Sequence, residues 1–493
     1  MRVVIVGAGL GGLSAACHLS GAGHEVVVYD GASGPGGRAG LWESHGYRLD
    51  TGPTVLTMTG LLADVFSAAG ADMNDLLELA PVDPMYRACF ADGSELRVRH
   101  GRDAMTEEIR TVCGTAEADA FSRFCGWLER LYEIEMPHFI DRNFDSPLDL
   151  ARAPKPALAL VRSGAFRRLA SVVDSYFADD RLRKLFSFQA MYAGLSPFEA
   201  LAVYCVITYM DTIEGVYFPK GGMHAVPVAL AAAAEKAGTT FEYSTTVERV
   251  VRRAGEYGSV RGVRLASGEL VEADVVVVNG DLPVAYRTLL PELAPPLRLR
   301  LRPHYSPSCA VWLVGAKGSL PTGAAHHNIH FGRDWSGAFK ALLEDGCRMP
   351  DPSILVTSPQ VGDPSLSPPG GTGLYVLEPV PNLDGRIDWH TERDRLRDDL
   401  AARVSALGYP VDDIVVEHFT DPTDWERAGM ERGTPFALSH RFSQTGPFRP
   451  GNLDKRVPGL VFVGSGTVPG VGVPMVLISG RLAAERIEGF TRR

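Results

Sequence analysis

The most constraining stretch of this sequence is its start. Residues Arg2 to Val6 have strand character and run straight into Gly7-Ala8-Gly9-Leu10-Gly11-Gly12. The pattern then turns helical over about Leu13 to Ala22 and extended again over Glu25 to Tyr29, with Asp30 at the end. A strand that delivers spaced glycines to the start of a helix opens a doubly wound parallel sheet. Gly7 permits the tight turn. Gly9 lets the main chain approach a pyrophosphate whose charge sits on the helix N-terminus, and Gly12 allows close packing of helix on strand. Asp30 is placed to accept hydrogen bonds from ribose hydroxyls. The segment predicts a bound dinucleotide, with Leu10 and Gly11 of the same loop among its contacts.

Two further segments select FAD over NAD. In Gly34-Pro35-Gly36-Gly37-Arg38-Ala39-Gly40 and Leu49-Asp50-Thr51-Gly52-Pro53-Thr54, small residues let the chain wrap an extended cofactor. Arg38 reaches toward its pyrophosphate or flavin, so Gly36, Gly37, Arg38, Pro53 and Thr54 are expected contacts. Near the other end, Phe462-Val463-Gly464-Ser465-Gly466-Thr467-Val468-Pro469-Gly470-Val471-Gly472-Val473-Pro474-Met475 repeats the strand, glycine turn and helix start. Glycines there let a flavin lie against main chain, and helix N–H groups favour negative charge developing at its N1–C2=O edge. Gly464, Ser465, Gly466, Gly472, Val473 and Met475 are expected contacts. So is Val247, in the segment Phe241 to Val251 where the nucleotide fold resumes.

A chain of 493 residues exceeds the usual single core. The expected fold class is α/β: a Rossmann-like, doubly wound FAD domain of the amine-oxidase-like flavoprotein kind with an inserted α+β substrate domain. The FAD domain is discontinuous, at about 1–92, 216–284 and 428–493, and the substrate domain takes 93–215 and 285–427. The pattern is helical from about Ser94 to Gly215. Strands are expected at Val260 to Leu265, Ala273 to Val278, Cys309 to Gly315 and Leu460 to Val463, and a helix from about Glu392 to Leu407. A net charge of −10 gives no footprint for nucleic acid. Seven cysteines without a C-x-x-C pair suit a reduced cytoplasm. The opening strand leaves no room for a leader, and no apolar run reaches the roughly 20 residues of a spanning helix.

Several motifs together give a resemblance to the bacterial-type phytoene desaturases, also called phytoene dehydrogenases. They are G-A-G-L-G-G and G-P-G-G-R, Asp50 to Thr54, Phe186 to Gln189, Tyr192 to Pro197 and Tyr217-Phe218-Pro219-Lys220-Gly221-Gly222-Met223. Val278 to Asp281, Tyr305 to Ser308, His326 to Ile329 and the terminal G-S-G-T-V-P-G-V-G-V-P complete the set. The resemblance spans nearly the whole chain. It implies FAD-dependent desaturation of a C40 carotenoid precursor, phytoene or a related carotenoid, by hydride transfer to flavin. It also implies a long apolar tunnel in the substrate domain, a peripheral position on a membrane surface, and quinone or dioxygen as electron acceptor. The sequence departs from the family at Ser465 and Val468, where alanine and histidine are common, and at Asp30, where many members carry Glu. A redox-neutral carotenoid isomerase, a soluble amine oxidase and a non-catalytic GDI-like prenyl-binding protein share the same fold signals. The first would release a product of unchanged mass, the second needs an amine-sized site, and the third has no use for glycine motifs at both ends.

The candidate catalytic carboxylate is Asp149, in Ser146-Pro147-Leu148-Asp149-Leu150-Ala151-Arg152, which the resemblance places near an acidic position of the bacterial desaturases. A helix cap followed by Arg152 is the competing reading. Asp211 and Glu214 are read as helix-end charges. His326, His327 and His330 lack the carboxylate or cysteine cluster a metal needs, and no metal is expected. Lys155 to Val173 mixes basic and apolar residues in the manner of an amphipathic helix lying in a bilayer interface.

Overall fold

The computed structural model describes residues 1–255, 258–301 and 303–491. Its nucleotide layer is a five-stranded, all-parallel sheet in the order Leu460–Phe462, Val275–Val278, Arg2–Val6, Glu25–Tyr29, Thr240–Glu242. Val4 pairs with Val276 on one side and Val27 on the other, so the first strand is central. The chain order reverses at this strand, and in open α/β sheets such a switch point is where a ligand crevice forms. Helix Leu10–Gly21 packs on one face against Val473–Thr491 and Ala225–Lys236. The three-stranded antiparallel sheet Val247–Arg252, Val260–Leu265, Leu270–Glu272 covers the other.

A second, seven-stranded sheet runs Ile414–Thr420, Ser308–Lys317, Gly371–Val380, Ile354–Thr357, His327–His330, Tyr86–Cys89, Glu95–Val98. Strand Ser308–Lys317 is buried on both faces, which is why it reads as an unbroken apolar run. Its Ala310, Trp312 and Val314 pack beneath Leu396, Leu400 and Val404 of helix Trp389–Ala406. The alternate Cys309, Val311 and Leu313 face Leu49 and Tyr375. The period of 2 thus splits one strand between an outer core and the cavity side.

The region expected to be helical from Ser94 begins instead with strand Glu95–Val98, whose Arg97 pairs with Arg87. The helices follow at Arg102–Cys113, Thr115–Glu135, Pro154–Ser163 and Leu169–Tyr176. They bury an aromatic cluster in which the Phe121 and Phe186 rings stack at 5.4 Å and Phe177 and Phe186 at 5.1 Å. The single amphipathic helix expected over Lys155 to Val173 is two. Gly164 caps the first in the left-handed region at φ 79°, and Arg168 is extended before the second. Among the described residues, no helix is long and apolar enough to cross a membrane.

The first and last helices cross at Gly480. A Cβ there would lie 2.6 Å from Ser14 Cβ and 2.7 Å from the Gly11 carbonyl oxygen. Gly480→Val is therefore expected to lower stability by about 1–3 kcal/mol or more through overpacking. A parent-like urea midpoint would show that the helices do not meet this closely.

Candidate active site

The first helix begins at Gly9, an N-cap with no side chain to accept from the exposed N–H groups and no acid in the first turn. Those donors are left for an anion from outside the chain. Gly7 has φ 104°, and a Cβ on Gly12 would lie 2.2 Å from the Gly7 carbonyl oxygen, so neither position tolerates a side chain. Asn279 closes the turn from the neighbouring strand, its Nδ2 donating to the Gly7 carbonyl at 3.1 Å. Asp30 accepts from the Ala8 N–H at 2.7 Å and the Ala32 N–H at 2.8 Å. It is thus clamped beside the glycine turn.

Arg38 is half-buried and donates from Nη2 to Ser465 Oγ at 2.8 Å and from Nη1 to the Pro435 carbonyl. Burial lowers its pKa, against the opposing pull of Asp281, and burial pushes Asp281 up to about 6. Arg449, which is buried, donates to the carbonyls of Ser465 (2.7 Å), Thr467 (3.1 Å), Leu438 (3.2 Å) and Gln444 (3.3 Å), drawing together the loops behind the C-terminal glycine turn. Asp50 ties the second segment down by accepting from the N–H groups of Met223 (2.8 Å) and His224 (2.9 Å).

A cavity of about 830 Å³ joins these pieces. Its wall includes Gly7, Gly9, Leu10, Gly11, Asp30, Gly36, Gly37, Arg38, Pro53, Thr54, Gly464, Ser465, Gly472, Val473 and Met475. Gly12 and Gly466 stand behind that wall, against the Gly7 carbonyl and Leu282 respectively. Val247 lies in the core between the two sheets with Val4, Tyr29 and Val278. The same cavity is lined by Tyr375, Leu377 and Leu355 of the seven-stranded sheet and by Leu150, Ala157, Leu160, Phe166 and Phe442.

Asp149 is buried at the edge of this region. Its Oδ2 accepts from the N–H groups of Asp145 (2.7 Å) and Ser146 (3.0 Å), completing a capping box with Ser146. Its neighbour Leu150, rather than Asp149 itself, lines the cavity. The Arg152 side chain lies outside the described residues. His326 and His327 stack with ring centres 5.0 Å apart, and His327 Nε2 is 2.9 Å from Thr54 Oγ1. Sequence reasoning passed over Asn279 and Arg449. Asn279 sits in the quoted Val278 to Asp281 motif, at a strand end beside the first glycine turn, and that position was a usable signal. Arg449 had no such signal, because its partners are main-chain carbonyls from three separate segments.

Residues 10–488 match the family of flavin containing amine oxidoreductases. This chain belongs to that family. It is 47% identical over 493 residues to a Streptomyces griseus protein named phytoene dehydrogenase, covering 99% of this chain and 95% of that one. A Myxococcus xanthus zeta-carotene-forming phytoene desaturase is 39% identical over 494 residues, covering 99% and 93%. Among solved structures, an oxidoreductase from Methanosarcina mazei superposes with a TM-score of 0.64 at 17% identity, covering 98% of this chain and all of the other. That last likeness speaks to fold alone. The protein is a flavin-dependent oxidoreductase, and its uncapped helix, glycine cradle and inward-reaching Arg38 fit FAD.

Burial holds His327 down at about 4, and the adjacent His326 ring lies well below its ordinary value. The folded pKa is depressed, so His327's contribution to stability is full above the unfolded value near 6.5 and drains as pH falls toward 4. Between pH 6.5 and pH 5 this amounts to about 2 kcal/mol. His327→Gln should lose less stability than the parent over that interval, read from urea midpoints. Equal losses would show that His327 is protonated in the folded state.

Proposed function

We propose that this protein desaturates a long acyclic isoprenoid, phytoene or a partly desaturated carotenoid, at a membrane surface. The observation that carries the reading is the cavity itself, continuous from the flavin loops to an apolar mouth. Relatives named for phytoene and zeta-carotene support it. A tunnel of this kind suits a hydrocarbon with nothing to hold but its length.

When bound, FAD supplies the hydride acceptor. The chain supplies the rest. Glycine loops and Arg38 fix the cofactor, and the start of the final helix favours charge arriving at its pyrimidine edge. Tyr375, Leu377 and Leu355 exclude water and align the substrate's carbon–carbon bond. Asp149 closes a capping box behind Leu150 at the cavity mouth, so its proposed part in guiding the lost proton is indirect, without contact with the reacting carbon.

The mouth is also where membrane contact is proposed. The Pro147–Arg152 turn packs against helix Pro154–Ser163 and against Gly446–Phe448. Around it Leu148 (81%), Val161 (60%), Leu158 and Phe442 are exposed, and the Phe166 and Phe442 rings meet edge to face. Arg162 and Arg167 are exposed beside them. An apolar patch rimmed by cations at the opening of an apolar cavity suits a bilayer interface.

Purified protein given FAD and liposome-borne phytoene is expected to form products that absorb at longer wavelength and have lost pairs of hydrogens. A product of unchanged mass would point to isomerisation instead. Val161→Asp with Arg167→Glu should reduce co-sedimentation with liposomes, and unchanged co-sedimentation would move the docking surface elsewhere.

Asp149→Asn keeps an acceptor oxygen for the two N–H groups. If Asp149 handles the proton, turnover at full FAD occupancy falls by roughly 10²–10⁴-fold. Parent-like turnover would assign Asp149 to the cap alone.

A further inference from the structure

One stretch of the cavity wall does not match a pure hydrocarbon. Asp211 and Tyr192 both line the cavity. Tyr192 keeps 49% of its surface accessible, on a side chain that borders the cavity. Asp211 sits in a single π-helical turn, Tyr209–Ile213, a geometry that recurs at functional sites. Its Oδ1 accepts from Thr212 Oγ1 at 2.5 Å. Beside it stand Tyr86 and Gln189, both within its electrostatic reach. The Tyr86 hydroxyl and Gln189 Oε1 are shut away from solvent, and Tyr86, Gln189, Thr212 and Asp211 lie within hydrogen-bonding reach of one another. Gln189 spends its Nε2 on the Leu185 carbonyl at 3.2 Å.

Buried polar groups are nearly always paired, because an unpaired one has given up its water without replacement. Here Asp211, Tyr192 and Tyr86 collect at one place on a wall otherwise built from Met85, Phe188, Ile329 and Phe331. Their charge is also informative. Burial pushes Asp211 up to about 7, and among the described residues the cavity's one guanidinium or ammonium is that of Arg38, in the flavin loops. No cation stands ready for an anionic ligand at this spot, and a cationic one would find a carboxyl whose charged form burial disfavours. The set offers O–H donors and a carbonyl acceptor with no net charge. That combination suits a neutral oxygen.

We propose that Tyr192 and Asp211, backed by Tyr86 and Gln189, form a polar subsite that receives one uncharged oxygen, hydroxyl or carbonyl, carried on an otherwise apolar chain. The proposal rests on the reading of the cavity as an isoprenoid tunnel. It adds that the tunnel distinguishes oxygenated ligands from plain hydrocarbons. Two sources share this chemistry: an oxygenated polyene, or the head group of a prenylated quinone accepting electrons.

The test compares the FAD-loaded protein with Tyr192→Phe and Asp211→Leu. Binding is measured for an acyclic C40 polyene, its mono-hydroxylated counterpart and a prenylated benzoquinone, each followed by the shift of its own absorption. Tyr192→Phe removes a hydroxyl given no protein partner and should fold as the parent does, checked by its urea midpoint. The parent is expected to bind at least one oxygenated ligand about tenfold or more tighter than the hydrocarbon, and both variants to bring that ratio near one. A change confined to the polyene pair places the oxygen on the substrate, and a change confined to the quinone places it on the electron acceptor. Equal affinities in the parent, as expected if the groups hold only a water, would overturn the subsite, as would a ratio that survives both substitutions. Phytoene conversion without any oxygen preference would overturn the subsite and leave the desaturation reading intact. Oxygen preference without phytoene conversion would do the reverse.

Discussion

The structure depends on a contact between the two ends of the chain. Helix Leu10–Gly21 and helix Val473–Thr491 meet so closely that Ser14 Oγ donates to the Leu477 carbonyl at 2.7 Å. The Gly464 N–H reaches Ser479 Oγ at 2.8 Å. The first contact locks the two helices together, and the second ties the C-terminal glycine turn to the final helix, so that the turn is held against the N-terminal one. Only then do Gly11 and Gly464 face each other across Asn279. The long excursions between the strands of the parallel sheet can be regarded as insertions into this clasp, tolerated because each strand is held by its neighbours rather than by its loops.

Much of the nucleotide layer was legible in the sequence because its signals are local. The strands Arg2–Val6 and Glu25–Tyr29 and the antiparallel strand Val260–Leu265 occupy the residues their patterns indicate. A glycine turn after a buried strand also has few alternative conformations. Where the reading departed, tertiary context had taken over. Glu95–Val98 is a short strand of alternating burial whose pairing with Tyr86–Cys89 cannot be inferred from four residues. Gly164 ends a helix in a stretch whose apolar spacing continues on both sides, so periodicity alone runs through the break. Asp211 is a further case. A carboxylate near a helix end is ordinarily solvated, and only the fold closes Tyr86 and Gln189 around it.

The cavity combines two kinds of wall. Near the glycine loops it is built from main-chain donors, Asp30 and Arg38, which suit a charged, extended cofactor. Farther on it is aromatic and aliphatic, drawn from the seven-stranded sheet and the helices that pack over it. The two kinds of wall come from different sheets. The chemistry at their junction is therefore set by how those sheets abut, and a contact such as Thr54 to His327, which joins a cofactor loop to the second sheet, helps to hold that seam.

The clasp also has a consequence for biosynthesis. The far wall of the cofactor site, Gly464 to Met475, and the helix that pins it are translated long after the first glycine turn. A nascent chain with this segment still in the ribosomal exit tunnel has the first glycine turn but lacks the surface opposite it. Its central strand also lacks the outermost parallel neighbour beyond Val275–Val278. Flavin loading must therefore follow emergence of the final helix, and until then the half-built crevice exposes the apolar face of the first helix to whatever else in the cell binds such surfaces.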